Sequence, residues 1–161
     1  MAQTRARIAR HPIHPMLVVF PIGLWVTALV FDVVHAFTGN PLWRTLAFWN
    51  LVGGIMGALA AAVPGLIDYT EMKGRARRIA NWHMALNLGV TALFVVNVLL
   101  RTTWGSRFID GHSWIPLGLS VIGNAVLAVS GWLGGEMVYV ERVGVEESRD
   151  RGLDSTRRRV G

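Results

Sequence analysis

The chain contains no cysteine, which excludes disulfides, thiolate nucleophiles, iron–sulfur ligation and cysteine zinc sites within it. Charge is scarce as well. Only 16% of the 161 residues are Asp, Glu, Lys or Arg, against 52% hydrophobic, and the mean hydropathy is +0.41; that balance suits a bilayer better than a soluble domain. Nucleophile elbow, phosphate loop and paired-carboxylate motifs are missing, so hydrolase and transferase chemistry has no support. No internal repeat is clear enough to use.

What the chain does have is four long apolar runs: Met16 to Phe31, Ala47 to Ile67, Met84 to Leu100 and Trp114 to Gly135. Each is close to the ~20 helical residues that cross a ~30 Å hydrocarbon core. They predict an all-α fold, an integral membrane four-helix bundle formed by residues 1–145, with spans over about 15–37, 46–67, 80–100 and 114–138. Residues 146–161 read as a charged, disordered tail, too polar to bury a core. The first run is too long and bulky for a removable signal segment, and no small-residue cleavage site follows it, so it is expected to remain as the first helix.

Basic residues set the expected orientation, because cytoplasmic loops retain positive charge. Arg5, Arg7 and Arg10 precede the first run; Lys73, Arg75, Arg77 and Arg78 separate the second from the third; Arg142, Arg149, Arg151 and Arg157 to Arg159 follow the fourth. The loop from His35 to Arg44 holds one basic residue, and the loop from Arg101 to Ser113 holds two, offset partly by Asp110. Both termini are therefore expected on the cytoplasmic side of the membrane. The net charge of +6 and pI near 11.2 fit attraction to anionic membrane lipids, not nucleic acid, since the basic residues flank spans and do not alternate with aromatics.

Helical phase predicts which faces turn inward. At 100° per residue, His14, Pro21, Trp25, Ala28 and Asp32 align on the first span, with Pro21 a potential kink; Asn50, Gly54, Gly57, Ala61, Pro64 and Asp68 fall within roughly ±40° of one line on the second. The third carries His83, Asn87, Thr91 and Asn97 on one side, flanked by Val90 and Phe94, and the fourth has Ser120, Asn124, Gly131 and Gly134 on one side. Glu136 lies about 120° from Asn124 on an ideal helix. Gly53-x-x-x-Gly57 suits close helix packing within the bundle, with a homodimer seam as the other use. Gly134-Gly135 suits either close approach or a local break. Of seven tryptophans, Trp43, Trp49, Trp82, Trp104, Trp114 and Trp132 fall near span ends, where the amphipathic ring prefers the interface, and Trp25 falls mid-span, where it is expected to fill the core.

Polar residues sort by depth into two groups. The inner group is His11, His14, Asp68, Glu71, His83 and Glu136; the outer group is Asp32, His35, Asn97, Asp110 and His112. Neutral imidazoles beside carboxylates are what a transition metal or a haem uses, as ligands or to fix a tautomer. The candidate metal ligands are therefore His11, His14, Asp68, His83 and Glu136, with His14 and His83 the pair for a haem. Histidines at headgroup level capping helix ends or binding water are the plainer alternative. His11-x-x-His14 contains prolines and reads as a turn, unlike the helical motif of zinc proteases. A buried carboxylate needs a partner: His83 or His14 for Asp68; His35, Asn50 or Asn97 for Asp32, where structural pairing and proton handling both fit. Asn50, Asn87, Asn97 and Asn124 complete a polar interior.

Several segments carry a family resemblance. They are His11-Pro12-Ile13-His14-Pro15-Met16-Leu17-Val18, Phe20 to Trp25, Asp32, Pro64-Gly65-Leu66-Ile67-Asp68, His83-Met84-Ala85-Leu86-Asn87 and Gly131 to Tyr139. Together they resemble the bacterial membrane family of domain of unknown function 2231, across all four runs in order. The resemblance implies four transmembrane helices and no established activity; that some relatives are joined to Rieske-type iron–sulfur domains implies a place in membrane electron transfer. Where the family commonly has a Tyr-Arg-His-Gly-Val-Gly-Val-like ending, this chain reads Tyr139-Val140-Glu141-Arg142-Val143-Gly144-Val145, with Glu141 replacing the histidine.

Three functions follow as expectations. The first is a module that binds a transition metal or haem b for electron transfer, with a membrane redox partner or a second copy as partner. The second is an accessory subunit of a larger membrane complex. The third is a proton or ion transport element, against which stand the small size of a four-helix chain and the lack of paired broken helices.

Overall fold

A computed structural model describes residues 6–9, 11–102 and 114–145. The expected charged tail, Trp104, Asp110 and His112 lie outside the described residues. The chain enters through a small hairpin in which β1 (Arg7–Ile8) pairs antiparallel with β2 (His11–Pro12), Ile8 opposite His11. Ala9 adopts a left-handed φ of 47° in the turn, and the Ile13 N–H donates to Ala6 O at 2.9 Å, closing the hairpin onto the first helix.

The first span, Ile13–Thr38, is two helical pieces, α1 (Ile13–Leu17) and α2 (Val19–Thr38), meeting at Val18. Pro21 explains the seam: it has no amide to offer the Leu17 carbonyl, so the ladder loosens one turn upstream. Gly39 ends α2 in a left-handed conformation, φ 65°, its N–H donating to His35 O at 2.8 Å. Asn40 then caps α3 (Pro41–Tyr69), its Oδ1 accepting the Leu42 N–H at 3.0 Å, with Pro41 in the first turn where a missing amide costs nothing. α4 runs Gly74–Leu100 and α5 Ile115–Gly135, the last continuing as a π-helical turn, Glu136–Val140. Among the described residues, four helical segments are long and apolar enough to cross a membrane: Ile13–Thr38, Pro41–Tyr69, Gly74–Leu100 and Ile115–Val140. The second and third start earlier than the apolar runs imply, because a cap at Asn40 and a left-handed Gly74, φ 59°, decide those starts.

The helices alternate in direction. α2 packs along α3 and α4 along α5, while α2–α5 and α3–α4 contacts close the ring. Trp25, Ala28, Leu51, Val90, Phe94 and Leu127 form the central core. Outward lie Phe20, Val26, Val30, Met56, Val63, Leu88 and Val129, large apolar side chains left uncovered by protein, as a lipid-facing shell requires. Trp49, Trp82, Trp114 and Trp132 are exposed, whereas Trp25 is fully buried and stacks on Phe94 at 4.6 Å between ring centroids.

The inward faces agree closely with helical phase on α2, where Pro21, Trp25, Ala28 and Asp32 are the buried residues. On α3 the buried set is Ala47, Leu51, Gly54, Ala61, Pro64 and Asp68. Asn50 is only half-buried and turns its amide onto its own helix, donating to Leu46 O at 2.8 Å. On α5 the phase argument fails at Gly131, which is exposed; Ser130 is buried in its stead. Gly53 and Gly57 face α2, where an added Cβ would sit 3.2 Å from Leu24 and 3.1 Å from Pro21. Their spacing thus serves packing within the bundle.

A repeat that the sequence conceals emerges from the packing. Three pairs of side chains meet across the bundle between the first span and α4: His14 with His83, Trp25 with Phe94, and Asp32 with Arg101. Asp32 and Arg101 are 69 residues apart, and so are the members of each other pair. The same offset relates Gly54, which lies under Trp25, to Gly123, which lies under Phe94; it also relates Gly65 under His14 to Gly134 under His83. The hairpin of α1, α2 and α3 and the hairpin of α4 and α5 are therefore related by an approximate twofold axis running along the bundle, through those three facing pairs.

Candidate two-histidine site

His14 enters with the first turn of α1, and His83 lies about 14 Å into α4 at 1.5 Å per residue. Their ring centroids are 6.4 Å apart and their planes nearly perpendicular, at 88°. Each imidazole crosses to the neighbouring helix of its own hairpin and uses the same atom in the same way. His14 Nδ1 is 2.8 Å from Ala61 O, and His83 Nδ1 is 2.9 Å from Ser130 O, with 47 residues between partners in both cases.

A carbonyl only accepts, so both Nδ1 atoms carry a proton, and the neutral form of each ring has its lone pair on Nε2. This is the outer-shell arrangement that fixes the tautomer of a ligating histidine. Glycine makes it possible. A Cβ at Gly65 would lie 2.8 Å from His14 Nδ1, and one at Gly134 would lie 3.3 Å from His83 Cε1. The bare backbone at Gly65 leaves the room the His14 ring needs, whereas a methyl group at Gly134 would ask the His83 ring to shift only slightly.

Around His83 the polar groups interlock. The Asn87 Nδ2 amide lies 2.7 Å from Ser130 Oγ, 2.8 Å from His83 O and 3.2 Å from His83 Nε2. Two hydrogens serve the two shorter contacts, and Nε2 is left with the longest. Ser130 Oγ also stands 3.1 Å from His83 Nδ1. Thr91 hydroxyl donates to Asn87 O at 2.7 Å and so continues the chain down α4. Sequence reasoning misses Ser130, because a serine among the apolar residues of α5 carries no signal of its own.

The other predicted ligands are engaged elsewhere. Asp68 is buried at the same end, but it accepts the Ala6 N–H at 3.0 Å and so ties the entry hairpin to α3, where a histidine partner was expected. Glu136 pairs with Arg75 at 2.9 Å, and Glu141 joins the same guanidinium at 3.2 Å. His11 is exposed, its Nδ1 3.0 Å from Ala9 O. Among the described residues, no group of three or more His, Asp or Glu side chains is arranged to hold a metal ion. The two imidazoles are brought together; His11, Asp68 and Glu136 are not brought to them.

At the opposite end, ~27 Å along the helices from His14 at 1.5 Å per residue, a second polar network crosses the bundle. Arg101 Nη1 and Nη2 donate to the two oxygens of Asp32, both at 2.7 Å. Ser120 hydroxyl donates to Asp32 Oδ2 at 2.6 Å, Arg101 Nε to Asn97 Oδ1 at 2.9 Å, and Asn97 Nδ2 to Ser120 Oγ and Pro116 O, both at 3.0 Å. The partner of Asp32 is thus neither His35 nor Asn50, and Asn97 serves only through Arg101 and Ser120. The charge rule assigns Arg101 to an outer loop, yet its side chain is 2% exposed. His35 turns its Nδ1 to Asn40 O at 2.9 Å, and Asn124 donates to Trp25 O at 3.2 Å and Ser120 O at 2.9 Å. With every charge in this network paired, it is a structural lock.

A family model described as predicted membrane protein (DUF2231) matches residues 10–147. No curated protein and no solved structure matches the chain.

Proposed function

Since this chain belongs to the DUF2231 family of predicted membrane proteins, we propose that it is a four-span inner-membrane module that carries a transition metal or a b-type haem between His14 and His83 and serves membrane electron transfer. The observation that supports this reading is the matched pair of imidazoles, each with Nδ1 pinned to a main-chain carbonyl and a lone pair left on Nε2.

The donor set fits such a group. Opposed imidazoles on one metal at the usual ~2.0–2.1 Å metal–nitrogen distance have ring centres about 6 Å apart, and these are at 6.4 Å. A metal centre bound there would supply the one-electron chemistry. The protein's part is to hold two rings in one tautomer, at one depth, with lipid-facing aliphatics excluding water. In this reading the basic segment Lys73 to Arg78 and both chain ends face the cytoplasm, which puts the histidine pair toward that side and the Asp32–Arg101 lock toward the other. A redox partner protein or a second copy of the chain would then exchange electrons at the cytoplasmic face.

Optical spectra and metal analysis of protein purified from its native membranes test the proposal. A Soret band or a stoichiometric metal is expected, and both His14→Ala and His83→Ala are expected to remove it. Protein that carries neither haem nor metal would end this reading.

A further inference from the structure

The two-histidine site has features that narrow its occupant. Both donors are imidazoles whose Nδ1 atoms rest on main-chain carbonyls, not on carboxylates. The nearby acids are committed: Asp68 to the Ala6 N–H and Glu136 to Arg75. The two rings therefore offer two nitrogen ligands, with both of these carboxylates engaged by other groups. Magnesium and calcium need oxygen donors, and structural zinc needs four ligands. Desolvation cost rises with the square of the charge, so a site without an anion penalises a divalent ion far more than a monovalent one. Imidazole suits copper among the transition metals.

The approximate twofold axis adds a second, independent constraint. His14 and His83 are equivalent in carbonyl partner, in the glycine beneath the ring and in depth. An occupant between the two rings, whose centroids are 6.4 Å apart, would be shared by one imidazole from each hairpin; the pair differs in that Asn87 Nδ2 stands 3.2 Å from His83 Nε2, where the equivalent position beside His14 is Val18. The two Nδ1 protons lie on different helices, at Ala61 O of α3 and Ser130 O of α5.

Building on the metal-centre reading above, we infer that the occupant is a single cuprous ion held in two-coordination between the imidazoles of His14 and His83. With only two neutral nitrogens, the reduced ion is the favoured state, since cupric copper prefers a fuller tetragonal set.

The test is a titration of the full-length protein, purified in detergent under reducing conditions, with copper supplied as the Cu(I)–bicinchoninate complex. One copper per chain is expected, with the X-ray absorption edge of two-coordinate Cu(I) and a raised unfolding temperature. His14→Ala and His83→Ala should each weaken binding by more than ~100-fold, beyond the ~10–100-fold usual for losing an outer-shell partner. His83→Gln, which keeps a polar side chain at the site, should lose copper equally while retaining the fold by circular dichroism. Asp68→Asn should bind copper as the parent does. A Soret band with no Cu(I) uptake would overturn the copper assignment and leave the two-histidine centre standing. Cu(I) binding that survives both histidine substitutions would also overturn it. Protein that takes up neither copper nor any other metal, nor haem, would remove the inference and the reading beneath it together.

Discussion

Arg101 grips both carboxylate oxygens of Asp32 at 2.7 Å from across the bundle, with both side chains almost wholly out of contact with solvent. The pair joins the ends of α2 and α4, and Ser120 joins α5 to it. Two copies of a half-chain related by strict symmetry would place like charges here. Opposite charges at equivalent positions are open to a single chain carrying both hairpins, and they fix which hairpin is which.

Removing one partner should be far worse than exchanging both. Asp32→Ala or Arg101→Ala leaves an unpaired buried charge and is expected to cost about 3–5 kcal/mol. The exchange Asp32→Arg with Arg101→Asp should recover a substantial part of the loss. Thermal unfolding of the four proteins in one detergent checks this, and an exchanged pair no better than the single variants would refute the pairing.

Glycines under the stacked aromatics should not tolerate a methyl group. A Cβ at Gly54 would collide with Trp25 Nε1, and one at Gly123 would lie 2.5 Å from Phe94 Cζ. Gly54→Ala and Gly123→Ala are expected to destabilise by about 1–3 kcal/mol through overpacking. Gly89→Ala and Gly118→Ala, where a Cβ meets nothing within 4 Å, should be neutral or gain up to ~1 kcal/mol from helix propensity. Equal effects at all four positions would contradict the stacking.

Ring placement at the histidine site should respond in graded fashion. Gly65→Ala brings a methyl group within 2.8 Å of the His14 ring, and Gly134→Ala brings one within 3.3 Å of the His83 ring. Gly65→Ala should therefore weaken metal or haem binding by about 10–100-fold, as loss of an orienting partner does, and Gly134→Ala by less. Binding measured by competition titration decides the order; a larger effect at Gly134 would count against the closer approach of the ring to Gly65.

Membrane orientation can be read chemically, because the chain has no native cysteine to interfere. Thr38→Cys, at the last residue of the first span, should react with an impermeant maleimide on intact cells. Lys73→Cys, between the second and third, should react only after permeabilisation. Labelling in the reverse order would invert the topology and place the histidine pair toward the outside.

Most of the architecture is legible in the order of residues. Runs of apolar side chains show span number, and on α2 a 100° advance per residue singles out Pro21, Trp25, Ala28 and Asp32, the buried set. His14 and His83 can be paired because an imidazole within a span is rare enough to draw notice. Arg101 is not legible: a basic residue just past an apolar run reads as loop charge, and only packing shows that its long side chain turns back into the bundle. The repeat is hidden for a similar reason. Trp25 against Phe94, Ala61 against Ser130 and Asp32 against Arg101 share position but not identity, and a main-chain carbonyl that accepts a hydrogen bond leaves no trace in residue type.

Hydrophobicity along the chain decided that the described residues form four helices long and apolar enough to cross a membrane and which stripes of them are hidden, since a helix in hydrocarbon must satisfy its own backbone and hide its polar side chains. Tertiary packing alone decided which of those hidden groups touch. Two imidazoles became a matched pair, and an acid and a guanidinium became a lock, because the two hairpins meet about a common axis that brings residues 69 apart face to face.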